Sequence, residues 1–363
     1  MTRIRRLQEH LNRWMLGYVV LAIGLGLFLG AGPGESFTSA NASLLGTLTT
    51  VAVFFIIYPM MVNVRFEALL RAGRNLRGIG IALLFNFVWA PIIGWILATV
   101  FLSEPLLALG FLLVMVVPCS SMAIGWTGLA KGDLELATVV VALSFILAIV
   151  AVPAWMTLFA NRYQIAVPMG DLINSILSVL VAPMVLGYAT RRGLLRWLGP
   201  RRFGEIAPIF PALSLLGMYA IVFLIFFGKA ALIIDRWQTV AILLVPNAIF
   251  IGLSLLVLTW LDRRLGMGYE EHMAVAFTST GKNNGTAIAI ATTAFSPLVA
   301  IPAATMPIFQ ILLMVFYLRS ADRLRRWFGQ RGASAVAGPA VPPAGRPEGA
   351  DIDRGGAPST EGE

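Results

Sequence analysis

The 363 residues are 58% hydrophobic and 12% charged, with a formal net charge of +9. This is far from the mix of a soluble domain, and the apolar residues fall in runs of about 20, enough to cross a bilayer. The arginines lie between those runs rather than along one face, which argues against a nucleic-acid partner and for membrane-orientation signals.

In chain order, residues 1–13 form a basic N-terminus with Arg3, Arg5, Arg6 and Arg13. It superficially resembles a signal peptide, but no small-residue cleavage site followed by a soluble domain is present. Residues 14–32 therefore read as a retained first span. Further spans are predicted at 43–63, 78–102, 105–130, 135–160, 170–190, 207–228, 237–261, 270–295 and 297–318, ten in all. Residues 319–363 are first basic and then, from about 330, rich in Ala, Gly and Pro, a composition that predicts a disordered tail.

The loops alternate in charge. Arg65, Arg71, Arg74 and Arg77 fill the second, Lys131 lies in the fourth, and Arg191, Arg192, Arg196, Arg201 and Arg202 fill the sixth. Arg263 and Arg264 lie in the eighth, and Arg319, Arg323, Arg325 and Arg326 follow the last span. The odd-numbered loops hold Arg162, Lys229 and Arg236 alone. The positive-inside rule then places both termini in the cytoplasm of a multi-pass protein of the cell (inner or plasma) membrane.

Two spans are interrupted. Pro118-Cys119-Ser120-Ser121 breaks the fourth, and Gly281-Lys282-Asn283-Asn284 breaks the ninth, with Gly285 following. Helix breakers and small polar residues at bilayer depth leave backbone groups that lipid cannot satisfy, so they belong in protein or beside a watery cavity. A pair of such breaks in corresponding places of two halves points to the binding site of a secondary transporter. Five spans per half invert the second (161–318) relative to the first (14–160), and a shift of 164 positions lays Pro118–Ile124 over Lys282–Ile288. Asn86 and Asn247 occupy similar places one span earlier in each half. The expected fold is an all-α membrane protein of ten helices in two inverted five-helix repeats.

Lys282 is the one formal charge expected near a bilayer midplane, roughly 18 Å into the ninth span at 1.5 Å per residue. Burying a lysine there costs about 2.5–3.5 kcal/mol, which marks it as functional, facing a cavity or a partner. It is the candidate proton-coupling residue, against the simpler reading of a lysine that snorkels or caps a half-helix. Asn283, Asn284, Thr278, Ser279, Thr280 and Thr286 cluster around it. Their amides and hydroxyls can bind a solute oxygen or satisfy the broken backbone. Cys119, the only cysteine, excludes an internal disulfide and a multi-thiolate cage within one chain. It is either a small apolar filler or a ligand for a thiophilic solute. Ser120, Ser121, Asn86 and Asn247 complete the candidate binding set, and Pro118, Gly281 and Gly285 are the helix-break residues. Pro59, in Tyr58-Pro59-Met60-Met61, reads as a kink, and Trp126, Trp155 and Trp260 read as interfacial anchors. His10 and His272 are placed outside the membrane or at its rim. No Walker loop, zinc pattern or nucleophile–base arrangement is present, so no catalytic residue, metal site or cofactor is expected.

Three stretches carry a family resemblance: Tyr58-Pro-Met-Met-Val-Asn-Val-Arg-Phe-Glu67, Pro118-Cys119-Ser-Ser-Met122, and Leu129-Ala-Lys-Gly-Asp133. They resemble the arsenite-efflux permeases of the bile acid:sodium symporter superfamily, over nearly all of residues 14–318. The resemblance implies a panel of helices and a core in which broken helices four and nine cross, with the substrate site beside the crossing. It also implies that Cys119 matches the important thiol of the arsenite branch. Two departures stand out. Thr286 occupies the place of that branch's glutamate, and Ser279 the place of the sodium-coupled branch's. A buried lysine without a buried carboxylate disfavours sodium at that spot, because two cations repel. The expectation is therefore a secondary active transporter exporting arsenite or antimonite in exchange for protons, an ion gradient serving as driving force. The alternatives are uptake of a small organic anion paired with Lys282, and a membrane sensor that binds without transporting. The expected partners are a small solute and the lipid bilayer; composition does not encode an oligomeric state, since lipid-facing and subunit surfaces are alike in it.

Overall fold

The computed structural model describes residues 3–31, 35–64, 75–163, 169–235 and 237–329. Helices make up nearly all of these, with no strand among the described residues. In order they are α1 (Arg3–Arg13), α2 (Met15–Ala31), α3 (Glu35–Ala40), α4 (Ala42–Asn63) and α5 (Leu76–Leu84). A π turn at Phe85–Trp89 joins α5 to α6 (Ala90–Phe101). Then come α7 (Pro105–Val116), α8 (Met122–Leu129), α9 (Leu134–Arg162) and α10 (Met169–Ile176). A second π turn, Leu177–Val181, leads into α11 (Ala182–Ile206), followed by α12 (Ile209–Gly228), α13 (Ala230–Asp235), α14 (Trp237–Ala241) and α15 (Leu244–Arg264). The last four are α16 (Tyr269–Thr280), α17 (Asn284–Ala294), α18 (Pro297–Arg319) and α19 (Ala321–Phe328).

Among the described residues seven helices are long and apolar enough to cross a membrane, or eight if α1 and α2, bent by 67°, form one span. The pairs α7/α8 and α16/α17 cover the two spans expected to be broken, which makes the ten-helix arrangement compatible with the structure. Two groups of helices form. In one, α12 packs on α2 and α4, and α4 on α11. In the other, α7 and α17 pack on α18, α15 on α16 and α18, and α7 on α6 and α9. α17 also reaches α4 and α10, so it lies where the groups meet. From Leu107 to Val116 every residue of α7 is buried, as a helix surrounded by protein requires.

Several expectations are corrected. The arginines assigned to a sixth loop ride on α11, which continues to Ile206 through a kink at Gly199 (φ 75°), a left-handed conformation that suits glycine. The eighth span starts later than expected, at Leu244, behind the short α14. The basic segment after the last span is helical as α19, whose Phe328 stacks on His272 with ring centroids 4.4 Å apart. His272, beneath that ring, is fully buried in the protein. Arg65, Arg71, Arg74, Arg236, the end of the Tyr58–Glu67 stretch and the Ala/Gly/Pro tail lie outside the described residues.

Leu129-Ala-Lys-Gly-Asp133 has a local logic. Lys131 adopts φ 56° to end α8, and Asp133 caps α9 by accepting from the Leu136 N–H at 2.9 Å. The Asp133 N–H donates to the Glu270 carbonyl at 2.9 Å, tying this turn to the start of α16. Elsewhere, close backbone approach is what glycine supplies. A Cβ at Gly110 of α7 would collide with the Val299 carbonyl of α18. Gly110→Ala should therefore destabilise the detergent-solubilised protein by about 1–3 kcal/mol, since overpacked cores lose that much. Gly80→Ala, with open space around its Cβ, should be neutral or stabilising. Equal melting temperatures for the two variants would contradict this packing.

Candidate functional site

The chain stops being helical at Val117 because Pro118 follows: a residue before proline is pushed to extended geometry, and Val117 has ψ 156°. The second break opens after Thr280. The two breaks pair with each other, Cys119 opposite Lys282 in an antiparallel bridge. The Ser120 N–H donates to the Gly281 carbonyl at 2.7 Å, and the Asn283 N–H to the Pro118 carbonyl at 3.1 Å. Each break thus satisfies backbone groups that the other exposes.

Lys282 lies at the centre of this junction, 1% exposed. Its Nζ donates to the Met115 carbonyl (2.9 Å), the Asn86 carbonyl (3.2 Å) and Asn86 Oδ1 (3.1 Å). Three acceptors match the three N–H groups of an ammonium. Among the described residues Lys282 has no carboxylate partner. Asn86 is itself fixed, its Nδ2 donating to the carbonyls of Ala82 (2.9 Å) and Thr278 (3.0 Å).

Around the ammonium, Cys119 is fully buried with Sγ 3.2 Å from Ser144 Oγ. Asn283 uses Oδ1 to cap α17, accepting from the Thr286 N–H at 3.1 Å, while its Nδ2 reaches Met60 Sδ at 3.4 Å. Asn284 Nδ2 donates to Gln310 Oε1 (3.3 Å), and Gln310 Nε2 donates to the Lys282 carbonyl (3.4 Å). Ser120 Oγ accepts from the Met122 N–H at 3.2 Å, a structural task. Ser121 sits half-buried at the start of α8 and offers no cap bond. A Cβ at Gly285 would strike Ile56 of α4, so only glycine lets the two helix groups meet there. Gly281 and Pro118 stand in the paired breaks themselves. Thr278 and Thr280 spend their hydroxyls on the Ala274 and Ala276 carbonyls, each at 2.7 Å.

Among the candidate residues, four keep buried side-chain atoms without a partner: Asn284 Oδ1, Thr286 Oγ1, Ser279 Oγ and both amide atoms of Asn247. The first three flank the ninth-span break. Asn247 bonds none of the junction residues, so the symmetry expected between it and Asn86 does not extend to their bonding.

Sequence reasoning missed Met115, Ser144, Met60 and Gln310. Of these Gln310 was legible as an amide inside an apolar span; the other three are apolar or small residues found only by the packing. Trp155 and Trp126 are half-buried and make contacts within the protein: Trp155 Nε1 donates to the Phe87 carbonyl (2.9 Å), and Trp126 stacks on Phe277 at 6.3 Å. His272 Nδ1 lies 2.6 Å from Asp262 Oδ2 and its Nε2 lies 2.6 Å from the Tyr317 hydroxyl. This buried cluster clasps α15, α16 and α18 together.

The sequence pattern of the Sodium Bile acid symporter family matches residues 50–236, just over half of the chain. The chain belongs to this family. It is a family of transporters, and the arsenical-resistance protein Acr3 of Alkaliphilus metalliredigens is 24% identical over 349 residues, covering 88% of this chain and 94% of that one. The Acr3 of Corynebacterium glutamicum is likewise 24% identical, over 79% of this chain and 80% of its own. A sodium/bile acid cotransporter 7-B of Xenopus laevis is 26% identical over 65% of this chain and 70% of its own. Family membership makes this a multi-span membrane transporter of a small solute.

Asn86→Leu removes one acceptor of Lys282 and the donor to the Thr278 carbonyl. Leaving buried polar groups unmatched should cost about 1–3 kcal/mol or more, read as a lower melting temperature in detergent. An unchanged melting temperature would show that Asn86 does not hold the ammonium.

Proposed function

We propose that the protein exports trivalent arsenic or antimony, as arsenite or antimonite, in exchange for protons across the cell inner membrane, with both termini cytoplasmic. The observation that carries this reading is the position of the chain's one thiol at the paired breaks, buried beside Ser144. In support, the Acr3 relatives align along 80% or more of their own length. A trivalent metalloid hydroxide is small, neutral and thiophilic. A single thiol can bind it and release it, where three thiolates would trap it. Its hydroxyls suit the unpartnered atoms of Asn284, Thr286 and Ser279, which offer hydrogen bonds and no charge.

Lys282 carries the exchanged proton. As an ammonium it fills all three acceptors; as an amine it has two N–H groups and leaves one acceptor empty, which loosens the junction. Thr286 stands where the arsenite branch has a carboxylate, so the lysine takes over the titratable role. In this conformation the ammonium is already saturated and 1% exposed, which counts against its pairing with an organic anion.

Inside-out vesicles containing the protein should take up radiolabelled arsenite under an imposed proton gradient, and Cys119→Ser should lose that uptake. Absence of uptake by the unaltered protein would overturn the metalloid assignment. Full uptake by Cys119→Ser would remove the thiol from the site.

A further inference from the structure

The three oxygens around Lys282 are not available by chance. Two are main-chain carbonyls that helices would normally consume. The Asn86 carbonyl should accept from the N–H of Ala90, but in the π turn that N–H bonds the Phe85 carbonyl instead. The next residue able to take its place is Pro91, which has no N–H. The Met115 carbonyl should accept from the Cys119 N–H, but Pro118 has already turned the chain out of the helix. Two prolines thus release two carbonyls from two different spans toward one point, and Asn86 Oδ1 adds a third oxygen. Met115 is also at the C-terminal end of α7, where the aligned peptide dipoles favour positive charge.

Neutral carbonyl and amide oxygens converging in a dry interior are the donor set that replaces the water shell of an alkali cation. Here they lie 2.9–3.2 Å from a nitrogen. We propose that this is a monovalent-cation site whose resident ion is the chain's own ammonium, and that it takes up a free alkali cation, sodium or potassium, once the lysine side chain is removed. The tether makes the transport cycle independent of those ions, and the exchangeable species becomes the proton on Nζ. The inference rests on the reading of the paired breaks as the transport site, but its test does not require a transported solute.

The test is thermal melting of full-length Lys282→Ala in detergent, titrated with sodium, potassium or choline chloride at constant ionic strength. Sodium or potassium should raise its melting temperature saturably, by ~2–4 °C when the ion reaches about ten times its Kd. Choline should not. Unaltered protein and Lys282→Met, whose uncharged chain still fills the space, should show no ion-specific shift, and Lys282→Ala combined with Asn86→Leu should lose it. If Lys282→Ala is too unstable to melt cooperatively, its yield of monodisperse protein should rise with sodium or potassium over choline. Identical behaviour in all three salts, or an equal ion response in the unaltered protein, would overturn the proposal. Sodium and potassium arms identify which ion the cage prefers. An ion response in Lys282→Ala without arsenite uptake by the unaltered protein would sink the metalloid reading and leave the cage standing. Uptake without the ion response would do the reverse.

Discussion

In hydrocarbon a broken helix persists only if protein takes up the backbone groups that the break exposes. Here two breaks take up each other's, through the hydrogen bonds from Ser120 to Gly281 and from Asn283 to Pro118. That pairing fixes the rest. It sets α7 and α8 against α17 and α16, brings Cys119 face to face with Lys282, and requires the glycine contacts that let α7 approach α18 and α17 approach α4. A transporter needs irregular backbone at its centre because helices with every group satisfied have nothing to offer a solute. The junction supplies it while each break takes up main-chain groups of the other.

The second constraint is a charge with no counter-charge. Burying Lys282 without a carboxylate would be costly on its own, yet its ammonium is met by dipoles: two released carbonyls, an amide oxygen and the end of a helix. Such compensation is graded rather than absolute. Neutral oxygens hold the charge well enough to let it exist, and less firmly than a carboxylate would, which suits the proposed proton exchange. The proposed role of the single thiol follows the same principle, since one soft ligand would bind reversibly.

Much of this was legible in the sequence. Pro118 and the Gly281–Asn284 run announce the breaks because proline, glycine and paired asparagines inside apolar stretches oppose a continuous spanning helix. Most span boundaries followed from length and hydropathy. What was not legible depends on packing. Nothing in Phe85-Asn86-Phe87-Val88-Trp89 spells a π turn, so the role of Asn86 as a double acceptor for Lys282 could be seen only in three dimensions. Met115 contributes a carbonyl, which any residue has. The internal repeat suggested that Asn247 mirrors Asn86, but only the first half's asparagine has a lysine to hold. The burial of His272 was not legible either, because it depends on α19 folding back to lay Phe328 over the ring.

A solute bound at the paired breaks, as proposed, would shield the lone cysteine, which therefore gives a direct readout of occupancy there. Cys119 is fully buried in this conformation, so maleimide labelling in native membranes reports the conformations that open the junction. The rate of labelling should fall saturably with arsenite or antimonite, and not with chemically similar oxyanions of phosphorus. Labelling that is equally fast with and without the metalloid would place the solute elsewhere and contradict the account.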